Sequence, residues 1–494
     1  MAPPRPRRPR QGRPGSLLLA LGIGALTLAL AACGSQLDPD DVAAVSGSGG
    51  GVAQDGSVPG VSGDGGAAGT SEAGGGGTSG SGGGGSSTSA GGASGGGGGA
   101  TEGEGENSAT GGGKGASCNG FKNGPGITDS TIVIGNSSDI SGPVPGLFEQ
   151  SQEAVKAYVA YFNATSDICG RKLELKAYDS RTDGAADQQA YAKACDETFA
   201  MVGSMSAFDS GGATTAEKCG LPDIRTASVT GDRAACKTCF GAQSTESTQF
   251  QNAVPDYVIK NHPKAAASAA MLYINAGAAS ENGEIQAEAM GKRGMNFKYV
   301  EGIDVSEFNY SPYVQQMKDL GIEYVQMIAA PDQFVRLAQA MKQQGFEPEV
   351  FMLDPTAYDP DFVQNGGADV EGTTVFVNFT PFEEASRSQE LQLYLSWLQQ
   401  VKPGAEPGFF GLFAWSAARL FVERAAALGG DLNRASLISD FSKVDDWTAN
   451  DLHSIQHVGA KDTGECWRFL RLQGGQWKPV GGTKYTCNGV TTVD

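Results

Sequence analysis

The chain has 494 residues, 73 of them glycine, and a formal net charge of −19. Thirty-three glycines fall between Gly34 and Ser117 among almost no large apolar side chains. That stretch cannot offset the roughly 1–2 kcal/mol per residue that backbone ordering costs, which excludes a packed domain there. Residues 118–494 exceed one ordinary core and suit two lobes, and their acidic balance excludes nucleic acid as a natural partner.

In chain order, Arg5, Arg7, Arg8, Arg10 and Arg13 precede an apolar run from Leu17 to Ala32 with no acid between Met1 and Gly15. This pattern predicts an export signal over 1–32, its apolar core being short for a membrane span. The run ends in Leu30-Ala31-Ala32-Cys33, which resembles the bacterial lipobox and makes Cys33 the expected lipidation site. An uncleaved anchor and an ordinary export signal are the alternatives, and Arg7-Arg8 is a weak twin-arginine signal. Each places the body outside the cytoplasm. Residues 33–117 then read as the lipidated cysteine and a disordered tether, with an end-to-end distance on the order of 50 Å.

Eight further cysteines, Cys118, Cys169, Cys195, Cys219, Cys236, Cys239, Cys466 and Cys487, all lie in the body. An even count in an oxidising compartment reads as up to four disulfides. Cys466 with Cys487 would clip a C-terminal hairpin, and Cys195 with Cys219 would staple one helix to the next. Proximity leaves Cys118 with Cys169 and Cys236 with Cys239, although spacing does not fix connectivity. The Cys236-Lys237-Thr238-Cys239 spacing also suits redox or zinc chemistry, but His262, His453 and His457 are the only histidines and none stands at a supporting spacing. No cofactor is expected.

The body alternates in period. Strands are predicted at 132–135, 173–178, 201–203 and 223–226, with helices at 149–164, 185–198 and 213–219 between them. A second set follows: strands at 270–274, 298–301, 324–328, 350–353 and 374–377, with helices at 284–292, 312–320 and 333–343. Helices 389–401 and 409–428 come next, the latter rich in alanine and aromatics as a buried helix would be. Residues 467–472 and 476–480 flank Gly474-Gly475 as a hairpin. Repeated βα units of this size mean α/β architecture with parallel sheets covered by helices, and two sets mean two lobes.

Ile132-Val133-Ile134-Gly135, Asp139-Ile140-Ser141-Gly142-Pro143, Gly170-Arg171-Lys172-Leu173, Tyr178-Asp179, Val202-Gly203-Ser204-Met205-Ser206 and Phe308-Asn309-Tyr310-Ser311-Pro312-Tyr313 occur in that order. Together with Gly220-Leu221-Pro222-Asp223-Ile224 and Asp354-Pro355, they resemble the type I periplasmic-binding proteins, nearest the Leu/Ile/Val-binding receptors of branched-chain amino acid ABC importers. The resemblance implies two Rossmann-like lobes joined by a three-crossing hinge, lobe 1 over 118–252 and 381–455 and lobe 2 over 253–380 and 456–494. It also implies hinge closure on a small ligand, partnership with ABC permease subunits, and a lipid anchor as the membrane contact.

Carried onto this chain, the family's carboxylate-holding loops fall at Ser141 and Gly142, at Ser206 and Ala207, and at Ala227, Ser228 and Thr230. Small residues and hydroxyls suit that role, because main-chain N–H groups approach an anion closely; turn and cap chemistry is the alternative use of the same residues. In lobe 2 the family's aromatic is replaced by Asn275-Ala276-Gly277-Ala278-Ala279, and Asn378-Phe379-Thr380-Pro381 stands where an acid is expected. Asp354 or Tyr358 would compensate as cation partner and apolar lid, against the alternatives of a capping aspartate and a surface tyrosine. The ligand class expected is an amino acid or a related amide or carboxylate.

Enzymatic readings are weak. Asp209-Ser210-Gly211-Gly212 has the serine-protease nucleophile pattern, but no histidine precedes Ser210. No nucleophile elbow, phosphate loop or His-Glu-x-x-His run occurs. A non-enzymatic solute receptor is expected, and a surface sensor or adhesion module on the same fold is its alternative.

Overall fold

The computed structural model of the protein describes residues 116–493. The export signal, Cys33 and nearly all of the tether lie outside the described residues.

The first lobe begins with β1 (Thr131–Ser138), α1 (Glu149–Thr165), β2 (Lys172–Asp179), α2 (Gly184–Glu197), β3 (Ala200–Val202), α3 (Ser210–Cys219), β4 (Asp223–Ala227), α4 (Gly231–Ala235) and β5 (Cys239–Gln243). Its five strands form one parallel sheet in the order β2-β1-β3-β4-β5. The chain then crosses through β6 (Gln249–Gln251) into the second lobe. That lobe holds α5 (Ala253–Asn261), α6 (Pro263–Ala266), β7 (Ala269–Ile274), α7 (Gly277–Lys292), β8 (Phe297–Ile303), α8 (Ser311–Asp319), β9 (Tyr324–Ile328), α9 (Pro331–Gln343), β10 (Val350–Leu353), α10 (Pro360–Gly366) and β11 (Thr374–Val377). A return crossing brings α11 (Gln389–Val401), α12 (Phe409–Leu428) and α13 (Arg434–Phe441) onto the first lobe. The third crossing leads to β12 (Cys466–Gln473), β13 (Gln476–Val480), β14 (Thr486–Cys487) and β15 (Val490–Thr492). The second sheet runs β13-β12-β11-β10-β9-β7-β8, parallel from β8 to β11 and antiparallel at β12 and β13.

Burial follows from this layering. Every residue of β7 is buried, as a parallel strand covered on both faces requires, and its sequence Ala-Ala-Met-Leu-Tyr-Ile carries no charge. α12 is apolar nearly all round and packs against α1 and strands β3, β4 and β5, with Trp415 at its centre. Its buried Arg419 pairs with Glu390 of α11 at 2.7 Å. No described helix is long and apolar enough to cross a membrane.

Four disulfides join Cys118–Cys169, Cys195–Cys219, Cys236–Cys239 and Cys466–Cys487, the pairing that proximity suggested. Cys195 in α2 and Cys219 in α3 staple successive helices. Cys466 and Cys487 are register partners of β12 and β14. β15 pairs antiparallel with β6, so the end of the chain braces the first crossing.

Three differences from the sequence expectation stand out. β5 and α5 form where the sequence carries no clear periodicity: Cys-Phe-Gly-Ala-Gln lacks alternation, and Pro255 lies in the first turn of α5. α7 starts at Gly277 rather than at 284, because its first turn is built of small residues that carry no helical stripe.

Candidate functional site

The strand orders place the site. In the first sheet the connection direction reverses between β1 and β3, and in the second between β7 and β9. Ligands of open parallel sheets bind beyond the strands' carboxyl ends at such switch points, where neighbouring loops part. A cavity of about 300 Å³ lies there, at the lower end of small-molecule pockets, roughly 300–1,000 Å³. It is walled by the segments after β1, β3 and β4 from one lobe, by those after β7, β9 and β10 from the other, and by the first crossing.

The lobes meet directly beside it. The Ala278 N–H donates to the Ala207 carbonyl at 2.9 Å, Asn282 Nδ2 donates to the Val229 carbonyl at 3.2 Å, and the Gly231 N–H donates to Glu281 Oε2 at 3.2 Å. Gly277 permits this approach. Its φ is +53°, and a Cβ there would sit 2.4 Å from the Ala207 oxygen. Only glycine meets both conditions without strain.

On the first lobe, most of the predicted donors face an internal carboxylate. Asp139, fully buried at the end of β1, accepts from Ser180 Oγ at 2.6 Å, the Thr182 N–H at 2.9 Å, Ser206 Oγ at 3.0 Å and the Ala207 N–H at 2.8 Å. Buried Asp209 accepts from the Val229 N–H at 3.0 Å and from Thr230 Oγ1 at 2.5 Å. Thr230 also caps α4. Ser141 donates its hydroxyl to Asp179 at 2.5 Å and is exposed. Gly142, at φ +108°, lets the loop after β1 close on the loop after β2, where a Cβ would meet the Arg181 carbonyl oxygen at 2.2 Å. Ala207, Ala227 and Ser228 line the cavity; Ser141, Gly142, Ser206 and Thr230 do not.

A charged cluster underlies this shell. Arg233 reaches Asp187 at 3.1 Å and Asp223 at 3.0 Å, and Arg225 lies 3.7 Å from Asp209 and 3.6 Å from Asp223, all with fully buried side chains. Three carboxylates share two guanidinium groups. Burial pushes the Asp187 carboxyl up to about 6 although both arginines pull it down, and Asp209 adds to the upward push.

On the second lobe, Asp354 lines the cavity and accepts from the Thr356 N–H at 2.7 Å, so it both caps a short turn and faces the cleft. Burial pushes its carboxyl up to about 6, with Thr356 pulling the other way. Tyr358 is 3% exposed and does not line the cavity; its ring packs among Phe379, Phe382 and Trp477, and its hydroxyl meets Glu383. It borders a separate hollow of about 290 Å³ with Asp359 and Trp477.

Several wall residues escaped sequence reasoning. Phe148 and Phe410 stack edge to face with centroids 4.6 Å apart, on the loop before α1 and the first turn of α12. Glu246 and Gln251 come from the first crossing and Trp467 from β12. No local pattern marks such residues, because they come together at the cleft from segments far apart in sequence. Asp139 was visible inside its motif, and its buried position was the missing signal.

A family profile described as Periplasmic binding protein matches residues 131–476. No curated protein sequence matches the chain. Among solved structures, the fold is similar to a fatty acid ABC transporter substrate-binding protein from Thermomonospora curvata, with TM-score 0.64 at 16% identity over 75% of this chain and 95% of that one. It is similar to a branched chain amino acid ABC transporter from Thermus thermophilus with bound valine, with TM-score 0.62 at 16% identity over 73% and 98%. It is also similar to a solute binding protein of an ABC transporter from R. palustris in complex with 4-hydroxybenzoate, with TM-score 0.60 at 17% identity over 72% and 97%. At such identities the likeness is one of fold, and with the profile match over most of the body the chain belongs to the periplasmic binding protein family.

Proposed function

We propose that the protein is the extracytoplasmic receptor of an ABC importer, held to the membrane by lipid on Cys33, which closes its two lobes on a small organic ligand and presents it to the permease. The observation that carries the reading is the cavity at both switch points, bounded by direct lobe-to-lobe hydrogen bonds. Closing around a ligand adds contacts to both lobes at once, and a ligand shifts an open–closed equilibrium only by that differential affinity. The export signal and lipobox support delivery to the outer face of a membrane, and the tether supports freedom to reach a permease.

Calorimetry of the body against amino acids, amides and small carboxylates, paired with solution scattering, tests it. Binding accompanied by compaction is expected. Binding without any change in dimensions would remove hinge closure, and a Cys33→Ala variant that remains in the membrane fraction would remove the lipid anchor.

A further inference from the structure

Within that receptor reading, we infer that the cavity takes an uncharged amide with an apolar body and refuses carboxylates, including α-amino acids. Three observations lead there. First, four of the lobe 1 groups suited to hold an anion are already engaged, the Ser206 hydroxyl and Ala207 N–H by Asp139 and the Val229 N–H and Thr230 hydroxyl by Asp209, which leaves the neutral Ser228 hydroxyl on the wall. An incoming carboxylate that sought those four donors would have to displace a buried carboxylate of the protein and would lie beside it, and like charges at such range oppose each other strongly.

Second, among the described residues of the wall the only charged side chains are Glu246 and Asp354, both acidic, with no lysine, arginine or histidine. A ligand anion there would be desolvated without a cation, which is among the costliest arrangements in a protein interior. Among the described residues only Thr356 donates to the Asp354 carboxylate, which keeps lone pairs for a further N–H donor. Third, Gln251 is 1% exposed, accepts from the Val254 N–H on its oxygen at 3.1 Å, and keeps its Nε2 without a partner among the described residues. That nitrogen calls for an acceptor. A carboxamide supplies an N–H donor and a carbonyl acceptor in one uncharged group, while Phe148, Phe250, Phe410 and Trp467 supply apolar surface for its body.

The test is calorimetry of the full-length protein against matched sets on isobutyl and benzyl skeletons: the carboxamide, the carboxylate, the amino acid and the amine. The carboxamide is expected to bind at least about tenfold more tightly than the carboxylate and the amino acid on one skeleton or both. Asp354→Asn, which keeps a side-chain oxygen for Thr356, is expected to weaken the carboxamide by about tenfold, and Gln251→Leu likewise. Carboxylate, amino acid or amine binding as tightly as the carboxamide overturns the inference, as does indifference of carboxamide binding to both variants. Silence of the whole panel also overturns it, and native mass spectrometry of the isolated protein then separates the two readings. A retained small molecule of another class leaves the receptor standing; protein isolated empty removes the receptor too.

Discussion

Asp139→Asn probes the first-lobe shell directly. The carboxylate is fully buried and takes four donors, three on Oδ1 and the Ala207 N–H on Oδ2. Asparagine keeps the shape. Its oxygen can hold the Ser180, Thr182 and Ser206 donors, but its nitrogen then faces the Ala207 N–H, donor against donor. One charge-assisted hydrogen bond is lost, about 1.5–3 kcal/mol, and the three that remain become neutral and weaker. Against this stands relief from burying a charge, a real cost here, since burial holds the Asp139 carboxyl above its usual range even with four donors. The net expectation is a loss of about 1–3 kcal/mol. Urea unfolding followed by tryptophan fluorescence reads it as a lower midpoint with the slope unchanged, and Ser206→Ala, which removes one donor without creating a clash, is expected to cost about 1 kcal/mol. A variant as stable as the parent would refute the reasoning, because it would mean that the donors gain nothing from the carboxylate.

Gly277→Ala places a Cβ against the Ala207 oxygen, 2.4 Å away, at a φ of +53°; on the proposed hinge closure, ligand affinity is expected to fall about tenfold with compaction lost in scattering, and unchanged compaction would show that this lobe-to-lobe contact is not needed for closure. Arg233→Met leaves buried Asp187 and Asp223 short of a cation and is expected to cost about 3–5 kcal/mol in chemical unfolding, whereas a loss under about 1 kcal/mol would show that the cluster tolerates unpaired charge. His453 is buried between Ser416 Oγ and the Ser454 carbonyl, each at 2.8 Å, and burial lowers its pKa to about 4. The unfolded chain takes that proton near 6.5, so the histidine's contribution is present above 6.5 and is lost as pH falls through about 4, up to on the order of 3 kcal/mol. His453→Gln is expected to abolish that loss; because Asp187 and Asp354, raised to about 6, act with the opposite sign in the same window, the difference between parent and variant at pH 7 and pH 4.5 is the quantity to compare, and equal acid sensitivity would refute the assignment.

The fold was legible where burial has a period. β7 and β9 are short apolar runs, α9 carries an apolar stripe, and α12 is apolar enough to declare itself a buried helix. The same reasoning failed at β5 and at the first turn of α7, whose small residues owe their conformation to neighbours rather than to their own propensity. For the site, the loops were legible and the contacts were not. Ser206 and Thr230 stand in the loops expected, but each hydroxyl turns to an aspartate, and a sequence does not say which of two nearby acceptors a hydroxyl will choose. Tyr358 reads in the sequence as an apolar lid or a surface tyrosine and is a core ring in the fold, because Phe379, Phe382 and Trp477 converge on it from other segments.

The self-satisfied shell also constrains where the energy of closure comes from. The Asp139 and Asp209 carboxylates already fix the loops after β1, β3 and β4, so the first lobe can present its face to a ligand without reordering, and little conformational entropy is lost there. The three cross-lobe hydrogen bonds contribute about 0.5–1.5 kcal/mol each, and on the proposed hinge opening water would replace them. They set the register of the closed form more than its stability. The larger contribution must come from apolar burial: a ligand that hides about 200 Å² of apolar surface against the cavity's rings gains about 5 kcal/mol, at about 25 cal/mol per Å². A small, strongly hydrated zwitterion offers little such surface and would lose its hydration in a wall without cations. The proposed closure on this cavity would therefore select for an apolar body first and for the hydrogen-bonding end second.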